Sequence, residues 1–278
     1  MNRNSFLCFN SITERIYKTR MKELSVLSDT LPGAYHSALV QLYRYASVTP
    51  CPDWNTTQKE CAMTMTVLNP TAEPRISKLF IGGPRELEQY RMEMLDGILD
   101  FEIDNGNWEY TYHDRMTNWR NVIAKVDQVK FVIDELKRNP FSRRAVIDIR
   151  NNWSDAYSGD PPCLSFIQYF IRDGKLDCFV LFRSNDACKA TFMNAYALIC
   201  LQERIAKELG TLVGTYTHRA NSFHCYERDF GMLDGYVKRI TNGTLDTLTY
   251  DYSGDWEYLM AEERPKIMED VERLTRNG

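Results

Sequence analysis

The chain has 278 residues, 44% of them hydrophobic, and a formal net charge of -4, with an isoelectric point near 5.7. Its 34 Lys and Arg are scattered evenly among 38 Asp and Glu, so no overall positive field draws it to nucleic acid or an anionic membrane, and any phosphate it binds is a small ligand held locally. No apolar run reaches the roughly 18 to 20 residues that span a bilayer, residues 1–20 lack a secretory pattern, and neither Pro nor Gly clusters into a linker; one domain over 1–278, in the cytoplasm, is expected.

In chain order, Glu60 follows Gln58-Lys59 and leads into strand-like CAMTMTVL, where it reads either as a surface carboxylate or as a pocket group that relays protons. Residues 85–99 place Leu87, Tyr90, Met94, Leu95 and Ile98 at helical spacing, and 126–137 do so with Val129, Val132, Ile133 and Leu136. Both predict amphipathic helices. Residues 163–183 are two apolar, aromatic runs around Asp173-Gly174, a dipeptide suited to the positive φ angles of a tight turn, and predict an antiparallel hairpin. Residues 194–209 read as a buried helix stopped by Gly210. A strand at 212–217 then leads into a polar and aromatic cluster at 218–229, and residues 230–278 are expected to pack on the core and close the site. Helices and antiparallel strands alternate without a βαβ rhythm or repeats, which predicts an α+β fold.

The eight cysteines (8, 51, 61, 163, 178, 188, 200 and 225) have no C-x-x-C spacing and suit reduced, mostly buried thiols, with no metal site. Cys163 stands apart, because Pro161-Pro162 and a glycine-bearing loop present it just before a strand. A thiolate nucleophile needs neighbouring positive charge, and Arg143-Arg144 and Arg183 are candidates that also match phosphate oxygens two at a time. The same features also read as plain core and solvated surface. Arg183-Ser184-Asn185-Asp186 sets four hydrogen-bonding side chains in a row, as ligands or as a helix-leading cap. His224 and Tyr226, two apart, share one face of an extended strand, for structure or for a sugar hydroxyl.

Taken in order, these pieces resemble the thymidylate synthase family. Ser142-Arg143-Arg144-Ala145-Val146 resembles its paired-arginine segment, Pro161-Pro162-Cys163 its nucleophile motif, and residues 166–186 its hairpin and phosphate-binding turn. Asn194 keeps the spacing of its base-reading asparagine, Phe223-His224-Cys225-Tyr226 matches its ribose-binding His-x-Tyr, and Tyr110 and Arg115 keep its Tyr-x4-Arg element. The correspondence covers about residues 108–229 and reaches back to Glu60. The short loop before Asn194 resembles the archaeal-type branch, whose framework is shared by pyrimidine nucleotide hydroxymethylases. Leu164 where other branches carry histidine, and Lys189-Ala190-Thr191-Phe192 in place of their Leu-Gly-x-Pro-Phe, put the departures on the folate side; no counterpart of their folate-lining tryptophan segment or apolar C-terminal tail is legible.

The resemblance implies a mixed β-sheet packed by helices and a homodimer joined through sheets, with Arg143 and Arg144 reaching the phosphate in the partner's site. It implies a pyrimidine nucleotide monophosphate and 5,10-methylenetetrahydrofolate as substrates. Cys163 is then the nucleophile, Glu60 and Tyr110 manage protons, and Asp186 holds the pterin. Arg183 and Ser184 lie at the phosphate and sugar, Asn194 reads uracil, and His224 with Tyr226 binds the ribose, with Arg20 a candidate further phosphate arginine. The implied product is dTMP with dihydrofolate. A hydroxymethylated dUMP, dCMP or CMP with tetrahydrofolate, and a non-catalytic nucleotide-binding relative, are the alternatives.

Overall fold

A computed structural model of the chain describes residues 20–120 and 124–277. Cys8 and nearly all of the N-terminal stretch examined for a secretory pattern lie outside the described residues. The centre is an eight-stranded mixed sheet. Its strands are β1 (Glu23–Ser28), β2 (Ser47–Cys51), β3 (Thr56–Val67), β4 (Val146–Asp148), β5 (Leu164–Arg172), β6 (Lys175–Phe182), β7 (Asn185–Asp186) and β8 (Leu212–Tyr226). The order across the sheet is β1-β3-β8-β6-β5-β4, with β2 added on β3 and β7 on β8. β1 runs parallel to β3, and β6 and β7 run parallel to β8, while the other pairs are antiparallel. Parallel and antiparallel pairs in one sheet, with helices inserted between them, make the fold α+β, as the sequence predicts.

The predicted hairpin is β5 and β6, and Asp173 and Gly174 take φ 50° and 72°, the left-handed pair that lets a two-residue turn follow the strands' twist. Three helices, α1 (Leu31–Tyr45), α3 (Gln128–Arg138) and α4 (Thr191–Leu209), line one face of the sheet. Thr30 caps α1 and Pro32 sits in its first turn, where a missing N–H costs nothing; Leu31, Ala34, Tyr35, Ala38, Leu39 and Leu42 face inward. Burying each such leucine stabilises the fold by about 1.5–3 kcal/mol. α4 is buried over most of its length and ends at Gly210, which takes φ 68° as expected of its cap role. Buried Gln202 on α4 donates through Nε2 to the strand carbonyls of Leu176 and Thr215, at 2.7 and 3.0 Å, while its Oε1 has no protein partner.

Two expectations need correction at their edges. The helix expected over 85–99 is α2 (Pro84–Asp96), because Gly97 turns left-handed at φ 64° and a Cβ there would lie 2.2 Å from His113 Nδ1; Ile98 therefore lies beyond the helix. The strand expected over 212–217 continues through the polar cluster to Tyr226, since its polar side chains find partners on both faces. Arg219 bonds Glu23 and Thr64 on one face, and His218 lies between Tyr216 and Asn185 on the other.

β8 holds one residue more than its partner between two paired positions. Ala220 pairs with Met63 and Phe223 with Cys61, three steps on β8 against two on β3. A second bulge follows Leu164 at the start of β5. The sheet face turned away from the three helices presents Leu27, 66% exposed, and Phe179, 39% exposed, the latter edge-on to Phe170 with ring centroids 5.7 Å apart. After β8 come α5 (Phe230–Asn242), which packs on α1, and α6 (Glu257–Asn277), which packs on α2. No helix among the described residues is long and apolar enough to cross a membrane.

Candidate active site

Cys163 stands between Pro162 and the first residue of β5, half-buried, as the motif predicts. Arg183, just past β6, ties the cysteine loop down. Its backbone N–H donates to the Cys163 carbonyl at 2.8 Å, and its guanidinium donates to the carbonyls of Pro162 and Pro161 at 3.0 and 2.6 Å. Burial pushes the Cys163 thiol up, Arg183 pulls it down and Asp160 opposes Arg183; the net shift is upward. In the ligand-free protein, alkylation of Cys163 by iodoacetamide, followed on its peptide by mass spectrometry, is therefore expected to accelerate with pH through a midpoint above the ordinary thiol value of 9.0. A midpoint below that value contradicts the balance of burial over Arg183.

Three tyrosines stand around this loop. The Tyr112 hydroxyl accepts the Leu164 N–H at 3.2 Å, and the Tyr110 ring lies 5.8 Å from that of Tyr112. The Arg115 guanidinium lies 5.5 Å from the Tyr110 ring centroid and is held by a bidentate bridge to Asp155, at 2.6 and 3.3 Å. Tyr90 on α2 donates a short hydrogen bond to Asn194 Oδ1 on α4. Burial raises all three tyrosines above their ordinary range, so each hydroxyl keeps its proton. They line a cleft of about 430 Å³ with Met94, Leu99 and Trp108. Glu93, also in its wall, has its carboxyl pushed up by burial against the pull of a hydrogen bond from Gln89.

A second group of polar side chains stands at the end of β8. Beyond its bulge, His224 pairs with Glu60 of β3 and with Asp186 of β7, joining three sequence-predicted residues across adjacent strands. Ser222 Oγ donates to Glu60 Oε1 at 2.5 Å, and Thr49 Oγ1 to Oε2 at 3.3 Å. His224 is 4% exposed; its Nδ1 lies 3.2 Å from the Ser222 carbonyl oxygen and 3.5 Å from Ser184 Oγ, while its Nε2 has no protein partner. A buried polar nitrogen without a partner is uncommon and marks a place for a ligand or a water. The Tyr226 ring stands edge-on to His224 at 4.8 Å. Asp186 Oδ1 accepts the N–H groups of Cys188 and Lys189, both at 2.9 Å, which fixes a turn in the loop ahead of α4; it does not cap the helix, whose N-cap position is Ala190 with no side-chain cap.

Cys163, Arg183, Ser184, Asp186, Glu60, His224 and Tyr226 thus cluster where β3, β5, β6, β7 and β8 end, and Tyr110 and Asn194 join through Tyr112 and Tyr90. Arg143 and Arg144 do not join them within this chain. Both are exposed ahead of β4, and Arg144 pairs with Glu135 at 3.1 Å. Arg20 is exposed at the start of the described residues, its carbonyl accepting from Ser47 Oγ at 3.3 Å. Tyr112, Glu93 and Trp108 were not singled out from sequence, and Tyr90 registered only as an apolar helix position. The YTYHDR stretch held the signal for Tyr112, which follows Tyr110 by two residues. Among the described residues none after 229 lines the cleft, so the expectation that 230–278 close the site is not met there; α5 and α6 pack on α1 and α2 instead. The seven described cysteines are all free, four of them buried.

Comparison with known proteins bears on this cluster directly. A family model described as thymidylate synthase matches residues 83–258. A protein of Methanocaldococcus jannaschii, provisionally named a thymidylate synthase, is 38% identical over 162 residues, covering 55% of this chain and 69% of its own length. A similarly named protein of Methanosarcina mazei is 34% identical over 184 residues, covering 66% of this chain and 80% of its own. One from Methanosarcina barkeri is 36% identical over 154 residues, 55% of this chain and 67% of its own. The matched spans take in the cysteine loop, the hairpin and the polar end of β8.

Proposed function

The chain belongs to the thymidylate synthase family, and from that membership we propose that it converts dUMP to dTMP through a covalent bond between Cys163 and the pyrimidine. The observation that carries the reading is the half-buried Cys163 thiol under Arg183, within a cluster whose tyrosines connect it to buried Asn194. The Cys163 sulfur bonds to carbon 6 of uracil, which makes carbon 5 nucleophilic enough to take up the one-carbon unit. Glu60, held by Ser222 and Thr49, moves protons around the ring, and the hydroxyl of Tyr110 assists loss of the carbon 5 proton. Release of Cys163 restores the ring double bond. 5,10-methylenetetrahydrofolate, when bound, supplies the carbon and the hydride that makes it a methyl group.

The nucleotide is held by polar groups already in place. Asn194, 6% exposed, reads the uracil edge, while His224 Nε2 and the Tyr226 hydroxyl reach the ribose, and Ser184 and Arg183 lie at the sugar and phosphate. The cleft's Trp108, Tyr110, Met94 and Leu99 suit a flat heterocycle, and its carboxylates accept from a pterin rich in N–H groups, with Asp186 as the further acceptor that holds it. This catalytic domain works in the cytoplasm as a homodimer. The exposed Arg143 and Arg144 and the partly apolar sheet face with Phe179 support an interface through which both arginines reach the partner's phosphate.

The test is mass spectrometry of the nucleotide after incubation with dUMP and 5,10-methylenetetrahydrofolate, with dihydrofolate absorbance followed in the same tube. A methyl mass gain with dihydrofolate is the expected outcome. A hydroxymethyl gain without dihydrofolate assigns the chain to the hydroxymethylases. Absence of product with dUMP, dCMP, CMP and UMP overturns both.

A further inference from the structure

A second cavity, of about 240 Å³, opens among α2, α4 and α6 and is lined by four arginines, Arg75, Arg91, Arg204 and Arg264. Three carboxylates answer them. Glu203 takes both terminal nitrogens of Arg75 at 3.2 and 2.8 Å, and Asp96 takes Arg204 at 2.7 Å. Glu88, wholly buried, takes Arg91 through two nitrogens at 2.8 and 2.6 Å and Arg264 through Nε at 2.5 Å. Glu73, close in sequence, is turned to the backbone N–H groups of Arg75, Tyr252 and Ser253. With Glu73, four carboxylates stand against four guanidinium groups, so formal charge is balanced and what the cluster leaves over is hydrogen-bond donors.

Arg75 supplies the most buried of these donors. Arg75 is 10% exposed in its side chain and lies over the rings of Tyr196 and Tyr252, at 5.7 and 5.1 Å, yet its Nε has no hydrogen-bond partner. Arg264 keeps both terminal nitrogens and Arg91 one of them after pairing with Glu88. A single water would satisfy Arg75 Nε but not the open nitrogens of Arg91 and Arg264 as well. A tetrahedral oxyanion with several acceptor oxygens takes all of them together, and guanidinium forks match it in shape.

We propose that this cavity is an anion site separate from the reaction centre, which binds a phosphate-class oxyanion, either free phosphate or the phosphoryl group of a small metabolite. It shares its walls with the cleft. α2 turns Tyr90 to Asn194 and the next residue, Arg91, to this cavity; α4 turns Asn194 to Tyr90, and Tyr196 and Glu203 to the cavity. An occupant here braces the helix pair that carries the Tyr90–Asn194 hydrogen bond.

Isothermal titration with inorganic phosphate and, separately, phenyl phosphate tests the site in the wild type, in Arg204→Gln/Arg264→Gln and in Arg183→Gln. Both substituted cavity arginines are 45% exposed, so the fold is expected to survive their loss. The expected result is a site retained in Arg183→Gln and weakened roughly tenfold or more in the cavity variant, the loss of two charge-assisted contacts. Tighter binding of phenyl phosphate identifies a metabolite phosphoryl group, and equal or tighter binding of phosphate identifies the free ion. Should the double variant melt early, Arg264→Gln alone, which leaves Glu88 paired with Arg91, is titrated instead and is expected to weaken the same site. Phosphate binding that is unchanged in the cavity variants, abolished by Arg183→Gln, or absent from the wild type overturns the proposal.

Discussion

Cys163→Ala is expected to lower turnover by roughly four orders of magnitude while leaving the dissociation constant for dUMP within a few-fold of the wild type. The asymmetry follows from the geometry. The sulfur is the group that bonds to carbon 6, and nothing beside it can take its place, since the neighbouring hydroxyls of Tyr110 and Tyr112 are held protonated by burial. The contacts proposed to hold the nucleotide, from Arg183, Asn194, His224 and Tyr226, do not pass through the sulfur. Arg183 in particular is fixed by the carbonyls of Pro161 and Pro162. Rapid-mixing turnover assays and equilibrium titration separate the two quantities. Turnover that survives in the variant removes the covalent mechanism.

Asn194→Asp is expected to shift preference from dUMP towards dCMP, with the ratio of their kcat/KM values falling by roughly three orders of magnitude. Uracil offers one N–H donor and one carbonyl acceptor on its edge, whereas cytosine offers a ring nitrogen acceptor and an amino donor. With Tyr90 donating to Oδ1, the Asn194 amide is held in one orientation, its Oδ1 keeping a lone pair for the uracil N–H and its Nδ2 free to donate to the carbonyl. Aspartate has no N–H to give and can accept from the cytosine amino group. Burial enlarges the effect, because an unmatched polar group there has no water to turn to. An unchanged ratio refutes the base-reading role of Asn194.

The parts of this molecule that are legible in its sequence are those decided locally. Asp173-Gly174 sets its own turn, Gly210 ends its own helix, and Pro161-Pro162-Cys163 places a thiol before a strand whatever lies elsewhere. What escapes is decided by partners distant along the chain. The Tyr112 hydroxyl meets the Leu164 N–H across 52 residues, and Tyr90 meets Asn194 across 104, so each tyrosine alone looks like one more aromatic residue in a core. The polar run at the end of β8 was hard to read as strand for the same reason. His218 and Arg219 are tolerable there only because Asn185, Glu23 and Thr64 have been brought alongside. Gly97 is the opposite case: a local signal inside a strong helical period, where the period concealed the stop.

The extra residue in β8 has a consequence for the gene that encodes it. Asn221 is exposed and bonds only Arg219, so most codon changes there cost little. Deleting that codon keeps the reading frame and leaves two steps on β8 against two on β3, so Phe223 stays opposite Cys61 and His224 opposite Glu60 and Asp186, each on its present face; what is lost is the local bend of the bulge. A lineage can therefore drift in the identity of residue 221, and can lose it without turning the site residues over, whereas loss of two residues between 220 and 223 reverses the face of every side chain that follows.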